Sequence, residues 1–284
     1  MKNLKKLSLL AASALLAVAF LAAGCGSDSA SSGSSSKNTT VTVGATPVPH
    51  GEILNEIKPL LAKEGVDLKV VEFTDYVKPN LALNDKELDA NFFQHSPYLD
   101  KFNSEHGTKL KAIAKIHVEP MGIYSHKIKD LKDLPDGAKV AIPNDPTNGG
   151  RALLILQSAG LIGLKDGGNI TSTVQDVEKN DKHLQFVELE AAQIPRSIDD
   201  VDIALINTNF AMEAGLNPLK DALFLEPKDS PYANVLVIRE GDENRPEIQK
   251  LVKALQSPEV KKFIEDKYQA QSCRASNKSW MFNV

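Results

Sequence analysis

Apolar and polar positions along the chain follow two periods. The runs "TVTVGATP", "VDLKVVEF", "LDANFFQ" and "VDIALI" are short apolar stretches or period-two alternations, and they predict strands. Between them, "GEILNEIKPLLAKEG" places apolar residues at helical spacing and ends on glycine, and "SPYLDKFNSEHG" opens with Ser-Pro and also ends on glycine. Both therefore predict helices. Strands that alternate with helices predict an α/β fold.

The pattern also predicts a division of the body into two lobes. "KLKAIAKIHVEP" and "MGIYSHK" predict long strands joined by Pro120, and "NVLVIRE" predicts a late strand before two final helices. We interpret residues 41–121 together with 230–268 as lobe 1, and residues 122–229 as lobe 2. The chain then crosses between lobes near residues 119–124 and returns near Ser230.

The first 24 residues are predicted to be a signal peptide. Three lysines precede the apolar run "LSLLAASALLAVAFLAAG", which ends in small residues before Cys25, the expected cleavage and lipidation point. A retained anchor helix is the alternative, because the run is about as long as a short membrane span. "AAGC" is similar to a lipoprotein box, although Ala22 stands where leucine is commoner. Residues 25–40 are rich in serine and glycine and predict a flexible tether.

Charge and cysteine content narrow the class of partner. The chain has 33 basic and 37 acidic residues, and loss of the three signal-peptide lysines moves the net charge from −4 to −7. A mildly acidic surface argues against nucleic acid as a partner. With Cys25 lipidated, Cys273 has no intramolecular partner, so we expect no disulfide in this exported protein.

The stretch "ANFFQHSPY" combines aromatic, amide and imidazole side chains where a predicted strand meets a helix, the place at which open α/β sheets bind ligands. Strand alternation places Asn91, Phe93 and His95 on one face. Phe92 and Gln94 take the other face, which is expected to turn toward the core. The first face suits a cleft for a small amphipathic ligand. Core packing is the alternative for these aromatic residues.

"NDPTNGGRALLIL" is a second candidate site. Here Asn148 is expected to cap a helix, Gly149 and Gly150 leave backbone N–H groups uncovered, and Arg151 adds a two-donor fork. This arrangement suits a carboxylate or a phosphate, whereas an ordinary helix start with a surface arginine is the alternative. No Gly-Lys-Ser/Thr follows, so the stretch is not a nucleotide-type phosphate loop.

The other motifs argue against a metal centre and an enzyme. The six histidines are scattered without a close pair at ligand spacing, which does not favour a zinc or manganese receptor. No hydrolase, metalloprotease or phosphate-loop signature is present. Glu119 and Asp145 can be drawn as an acid pair, but nothing in the sequence brings them together. We therefore predict a protein that is not an enzyme, with no cofactor and no metal.

Several long motifs together resemble one family. "ELDANFFQHSPYLD", "KIHVEPMGIYSHKIKDLKDLPDGAKVAIPNDPTNGGRAL", "ALINTNFA" and "SPYANVLVIRE" are similar to the methionine-binding lipoproteins of bacterial ABC importers. The match covers about residues 41–268. It implies an α/β, two-lobed periplasmic-binding-protein fold with the ligand cleft between the lobes.

The resemblance also implies roles for individual residues. It assigns a pocket around the thioether of methionine to Tyr76, Phe93, His95 and Tyr98. It assigns the α-carboxylate to Arg151 and the rest of the amino-acid head group to Asn207 and Asn234. Asparagines after buried runs are also ordinary turn residues, and that alternative stays open for both.

The implied partners are L-methionine, with D-methionine as a second candidate, and an ABC permease with its ATPase. The protein is expected to be a monomer, anchored by lipid at Cys25 to the extracytoplasmic face of the cell membrane. Two other functions stay open: the same fold with another amino acid or a methionine derivative, and a surface lipoprotein without a transport role.

The final residues, 269–284, depart from the family pattern. Relatives usually continue with glycine, a short apolar stretch, proline and a terminal phenylalanine, whereas this chain reads "AQSCRASNKSWMFNV". We interpret the tail as the product of a one-base frameshift. With suitable codons for residues 270–277, one restored G gives Gly-Ala-Val-Val-Pro-Gly-Phe-stop. The tail is then expected to be disordered and without function, and resequencing the end of the gene tests this.

Overall fold

Two five-stranded β-sheets form the framework of the molecule. The computed structural model describes residues 38–227 and 231–268. The predicted signal peptide, Cys25, most of the tether and the tail lie outside the described residues. The strands are β1 (Thr39–Ala45), β2 (Val66–Glu72), β3 (Ala90–His95), β4 (Leu110–Val118), β5 (Gly122–Tyr124), β6 (Lys139–Pro143), β7 (Gly163–Leu164), β8 (Val177–Lys179), β9 (Gln185–Leu189), β10 (Ile203–Ile206), β11 (Phe224–Leu225) and β12 (Ala233–Arg239).

The helices pack on both faces of these sheets. They are α1 (Glu52–Lys63), α2 (Lys78–Asn84), α3 (Ser96–His106), α4 (Pro146–Ser158), α5 (Thr208–Glu213), α6 (Pro218–Asp221), α7 (Pro246–Leu255) and α8 (Pro258–Lys267). In α1 the apolar positions predicted from helical spacing, Ile53, Leu54, Ile57 and Leu61, are all buried. Within the described ranges no helix is long and apolar enough to cross a membrane.

The first sheet has the order β2-β1-β3-β12-β4. Strand β1 runs parallel to β2 and β3, and β12 runs antiparallel to both β3 and β4. Helices α1, α7 and α8 contribute to the core on one face, and α2 and α3 contribute to the core on the other. Strand β12 is the last strand in sequence, but it lies between two early ones.

The second sheet has the order β11-β5-β10-β6-β9. Its buried residues form two apolar clusters, one with α4 and one with α5. The chain passes from the first sheet to the second between Val118 and Gly122, and returns between Leu225 and Ala233. The predicted return point, Ser230, falls in the undescribed segment 228–230. The α/β class with two lobes is confirmed, each lobe being built on one sheet.

Two local predictions are wrong. "MGIYSHK" was expected to form a long strand, but β5 covers only Gly122–Tyr124. Asn148 was expected to cap a helix, but α4 begins at Pro146 and its cap is Asp145, whose carboxylate accepts a hydrogen bond from the Asn148 backbone N–H at 2.9 Å. Proline is well suited to the first helical position, and this places the start before the asparagine. Asn148 therefore lies inside the first turn.

The two glycines after Asn148 also have a different role from the one expected. The Gly149 N–H donates to the Asp145 carbonyl, so it is not an uncovered donor. A Cβ at Gly149 would lie 2.8 Å from the Pro143 carbonyl oxygen, and one at Gly150 would clash with the Ile170 carbonyl. Glycine is required at both positions because other backbone segments approach α4 too closely for a side chain.

Candidate functional site

One cleft between the two sheets collects all seven residues that the sequence assigned to ligand binding. About 330 Å³ of space lies between its walls, part of it open to solvent. Its lining residues are Tyr76, Phe93, Gln94, His95, Tyr98, Glu119, Asn148, Arg151, Asn207, Thr208, Asn209 and Asn234. Geometry thus brings the seven together, and their role in binding stays a prediction.

An aromatic wall forms one side of the cleft. The Tyr76 ring lies 5.8 Å from both Phe93 and Tyr98, and 4.8 Å from Phe210 of α5. The Tyr76 hydroxyl donates to Asn209 Oδ1 at 2.5 Å, which joins the two lobes across the cleft. Burial raises the pKa of Tyr76, so the phenol stays protonated and can donate. Aromatic faces of this kind suit an apolar or thioether side chain.

Arg151 projects from α4 and is buried in an ion pair. Its Nε and Nη2 lie 2.9 and 2.5 Å from the two carboxylate oxygens of Glu226. Nη2 also donates to the Glu119 carbonyl at 2.6 Å, and the guanidinium carbon lies 4.2 Å from the centre of the Tyr232 ring. These contacts fix the plane of the guanidinium group at the edge of the cleft and use Nε and Nη2, so the donor for a further carboxylate is Nη1.

Glu119 supplies a buried carboxylate to the same cleft. His117 Nε2 lies 2.7 Å from its Oε1, and His50 Nε2 lies 3.1 Å from the same oxygen. Burial acts to raise the pKa of Glu119, but His50, His117 and Arg151 outweigh it, and the pKa lies below its ordinary value. The cleft therefore holds an ionised carboxylate at neutral pH.

This cluster corrects the interpretation of the histidines. His50 and His117 are far apart in sequence, but with Glu119 they form a group whose candidate ligand atoms all lie within 4.8 Å of one another. The sequence interpretation noted only that no two histidines stand at ligand spacing along the chain. It rested on local spacing, and strand pairing brings distant residues together.

Asn148 links two pocket side chains to Asp145, which caps α4. Its Oδ1 accepts hydrogen bonds from Asn207 Nδ2 at 2.9 Å and from His95 Nε2 at 3.1 Å. Its Nδ2 donates to both Asp145 oxygens, at 3.0 and 2.9 Å. His95 Nδ1 in turn accepts from the Tyr98 backbone N–H, which leaves the proton of the neutral ring on Nε2. The amides and the imidazole are thus oriented as one network.

Gln94 overturns the predicted alternation of β3. It was expected to turn toward the core, but it lines the cleft and donates to Asn91 Oδ1 at 2.9 Å and to Asn80 Oδ1 at 2.6 Å. The pairing of β3 with β12 shifts register at Phe93, which is left between the partners of Phe92 and Gln94. A bulge of this kind breaks period-two alternation, so Asn91 and Gln94 share a face.

Sequence reasoning missed five lining residues as ligand contacts: Gln94, Glu119, Asn148, Thr208 and Asn209. A usable signal existed for Thr208 and Asn209, because "INTN" follows the buried strand β10 directly. Glu119 was considered only as half of an acid pair with Asp145, which instead caps α4 and holds Asn148.

Two buried histidines predict that stability falls in mild acid. Burial lowers the pKa of His50 to about 4 and that of His95 to about 3, against 6.5 for an exposed histidine. Below pH 6.5 the unfolded chain therefore takes up protons that the folded protein refuses, and each site costs ~1.4 kcal/mol per pH unit until its folded pKa is reached. Denaturant unfolding at pH 7.5, 6, 5 and 4.5 should show this decline. His95→Gln should reduce the slope, and a free energy of unfolding that stays constant down to pH 4.5 would contradict the prediction.

A two-lobed α/β fold with an enclosed aromatic and polar cleft between the lobes is the fold of substrate-binding proteins. The NlpA lipoprotein family model matches residues 41–276. The chain belongs to this family. The matched range extends beyond Tyr268 into the tail that was expected to depart from the family.

Named relatives are similar over most of the chain. The D-methionine-binding lipoprotein MetQ of Escherichia coli (strain K12) is 51% identical over 209 residues, which cover 72% of this chain and 77% of the relative. Lipoprotein 28 of Escherichia coli O157:H7 is 45% identical over 259 residues, covering 90% and 93%. A nutrient binding protein from Burkholderia cenocepacia, solved bound to methionine, superposes with a TM-score of 0.78 at 48% identity, covering 81% of this chain and 97% of that one.

Proposed function

We propose that this protein binds free methionine in the cleft between its lobes and delivers it to an ABC importer. The observation that carries the proposal is the combination, in one enclosed cleft, of an aromatic wall, a fixed arginine and an ionised carboxylate. A free amino acid with an apolar side chain presents the three complementary groups. Relatives named for methionine binding, and a neighbour solved with methionine, support the choice of side chain.

Each part of the ligand has a counterpart in the cleft. The thioether side chain packs against Tyr76, Phe93 and Tyr98, because sulfur interacts favourably with aromatic rings. The α-carboxylate binds the Arg151 guanidinium. The ammonium group binds Glu119, while the remaining polar contacts come from a set of three side chains: His95, Asn207 and Asn234.

Delivery is proposed to follow from motion of the lobes. Residues 41–121 with 230–268 and residues 122–229 are taken as the two lobes, which open to admit the ligand and close around it. The Tyr76–Asn209 hydrogen bond across the cleft supports a closed arrangement in this structure. The closed form then docks as a monomer on a permease, whose ATPase drives import, and no catalytic group is needed. An acylated Cys25 is proposed to hold the protein at the extracytoplasmic face of the membrane.

Mass spectrometry of the full chain, purified in detergent, tests ligand and anchor together. Denaturation is expected to release methionine, and the intact mass is expected to be that of a chain that begins at an acylated Cys25. Calorimetric titration of the stripped and refolded protein should then show saturable one-to-one binding of L-methionine, with D-methionine as the comparison. A folded protein that binds neither enantiomer would overturn the proposal. It would favour another amino acid as the ligand, or a role outside transport.

A further inference from the structure

Glu119 is contacted by two histidines that do not line the cleft. We propose that His50 and His117 are positioning residues, which hold Glu119 as an ionised and oriented acceptor for the ammonium group of the ligand. The inference rests on the proposed function and deepens it. If His50 and His117 have this role, the difference in affinity between an amino acid and the matching hydroxy acid depends on two residues that do not touch the ligand.

Both histidine rings lie next to the same oxygen of the Glu119 carboxylate. His117 Nε2 and His50 Nε2 lie 2.7 and 3.1 Å from Glu119 Oε1. The two histidines are 1% and 0% exposed, and both pack edge-on against Phe92, with ring centres 5.5 and 4.6 Å away. The His117 contact is a hydrogen bond and restricts the rotation of the carboxylate, whereas His50 Nε2 lies close to the same oxygen without hydrogen-bond geometry.

Thr46 determines which ring nitrogen of His50 carries the proton. Its Oγ1 lies 2.7 Å from His50 Nδ1, and both residues are fully buried. A hydroxyl that donates to Nδ1 leaves the ring proton on Nε2, which lies 3.1 Å from Glu119 Oε1 but outside hydrogen-bond geometry. His117 reaches the same state, because its Nε2 makes the short contact with the carboxylate while its Nδ1 has no hydrogen-bond partner among the described residues.

A histidine N–H donor suits this task better than a lysine or arginine in direct contact with the carboxylate. A buried carboxylate needs hydrogen bonds to stay ionised, since burial alone favours its neutral form. A lysine or arginine in direct contact would supply them but would also cancel the negative charge. The anion instead accepts a hydrogen bond from His117, and His50, whose pKa burial lowers to about 4, adds no positive charge beside it at neutral pH. Arg151, the nearby cation, touches the Glu119 backbone carbonyl and pairs with Glu226 instead.

The same three side chains are also of the types that hold zinc. Two ligand atoms bound to one tetrahedral zinc ion at about 2.0–2.2 Å lie roughly 3.3–3.5 Å apart. His117 Nε2 and Glu119 Oε1 are closer than this, at 2.7 Å, which is the distance of a direct hydrogen bond with the proton between them. The geometry therefore favours a charge network over a metal centre.

Calorimetric titration of the full chain with L-methionine and with its α-hydroxy analogue tests the proposal. The analogue keeps the thioether and the carboxylate but lacks the ammonium group. His117→Leu is expected to lower the affinity for L-methionine at least about tenfold and the affinity for the analogue by less than about threefold. His117→Gln keeps an N–H donor and should restore most of the lost affinity for L-methionine. Thr46→Val, which does not touch the carboxylate, should produce a smaller loss in the same direction.

Controls separate the possible failures. His126→Leu replaces an exposed histidine that contacts Asp199, and it should leave both affinities unchanged. Two results would overturn the positioning role: an equal loss of affinity for both ligands in His117→Leu, or no recovery of L-methionine affinity in a folded His117→Gln. One equivalent of Zn²⁺ bound tightly by the wild type and lost in His117→Gln would overturn it in favour of a metal site. A wild type that binds neither ligand would instead refute the proposed function.

Discussion

Removing the positive charge of Arg151 is expected to weaken methionine binding by at least about 100-fold, equivalent to ~2.7 kcal/mol. The variant should be Arg151→Met combined with Glu226→Gln, because the single change would leave the buried Glu226 carboxylate without its partner. The double variant removes both charges and keeps similar side-chain volumes. The ligand carboxylate then enters a buried site that lacks the guanidinium group. Calorimetric titration with L-methionine measures the loss.

Two further variants show whether the loss of methionine affinity is specific to Arg151. Glu226→Gln alone keeps the guanidinium group and should lose much less affinity than the double variant. Arg196→Met replaces an exposed arginine in the same lobe and should bind methionine like the wild type. Thermal unfolding of all three confirms that the proteins are folded. Methionine affinity within threefold of wild type in a folded double variant would remove Arg151 from the binding site.

The Arg151–Glu226 pair also shows why charge in the cleft is asymmetric. Arg151 and Glu226 together are neutral, and Glu119 adds one negative charge. The proposed zwitterionic ligand therefore meets a guanidinium whose charge is shared with Glu226 at one end and a carboxylate beside two histidines at the other. This arrangement favours a ligand with an ammonium group over a simple carboxylic acid, because only the ammonium compensates the Glu119 charge.

Much of the fold was predictable because its elements have strong local patterns. Helix α1 and strand β10 follow directly from apolar spacing, and each is buried as that spacing requires. The sheet order was not predictable locally. Strand β12 reads as an ordinary late strand, and nothing in its sequence says that it inserts between β3 and β4. The short length of β5 has a local cause, since the Ser125 hydroxyl accepts hydrogen bonds from the backbone N–H groups of Lys127 and Ile128 and the chain turns there.

The site was predictable to the extent that it lies at strand and helix ends. Phe93, His95 and Arg151 occupy such ends, and residue chemistry alone marked them as candidates. Gln94 was misplaced because the bulge at Phe93 arises from pairing with β12, far away in sequence. The partners of Glu119 were missed for the same reason, because His50 lies in a short helical turn, Pro47–Gly51, between β1 and α1, and only tertiary folding brings it to the end of β4.

Replacing Asn148 with alanine is expected to have the second large effect, on stability and on binding together. The change removes the acceptor shared by Asn207 and His95, and it removes the donor to Asp145. Buried polar groups that lose their partners cost ~1–3 kcal/mol each, and network members cost more together than singly. We expect a loss of about 2–4 kcal/mol in the free energy of unfolding and at least about a tenfold loss of methionine affinity.

Asn144→Ala is the matched control for Asn148→Ala, because Asn144 lies in the same loop before α4 but is exposed. Surface changes of this kind usually alter stability by no more than about 0.5 kcal/mol. Denaturant unfolding and methionine titration of both variants separate the network from the loop. If Asn148→Ala lost no more stability than Asn144→Ala, the amide network would not hold the pocket. A large loss of stability with unchanged affinity would show that Asn148 supports the fold, but that His95 and Asn207 do not need it to bind the ligand.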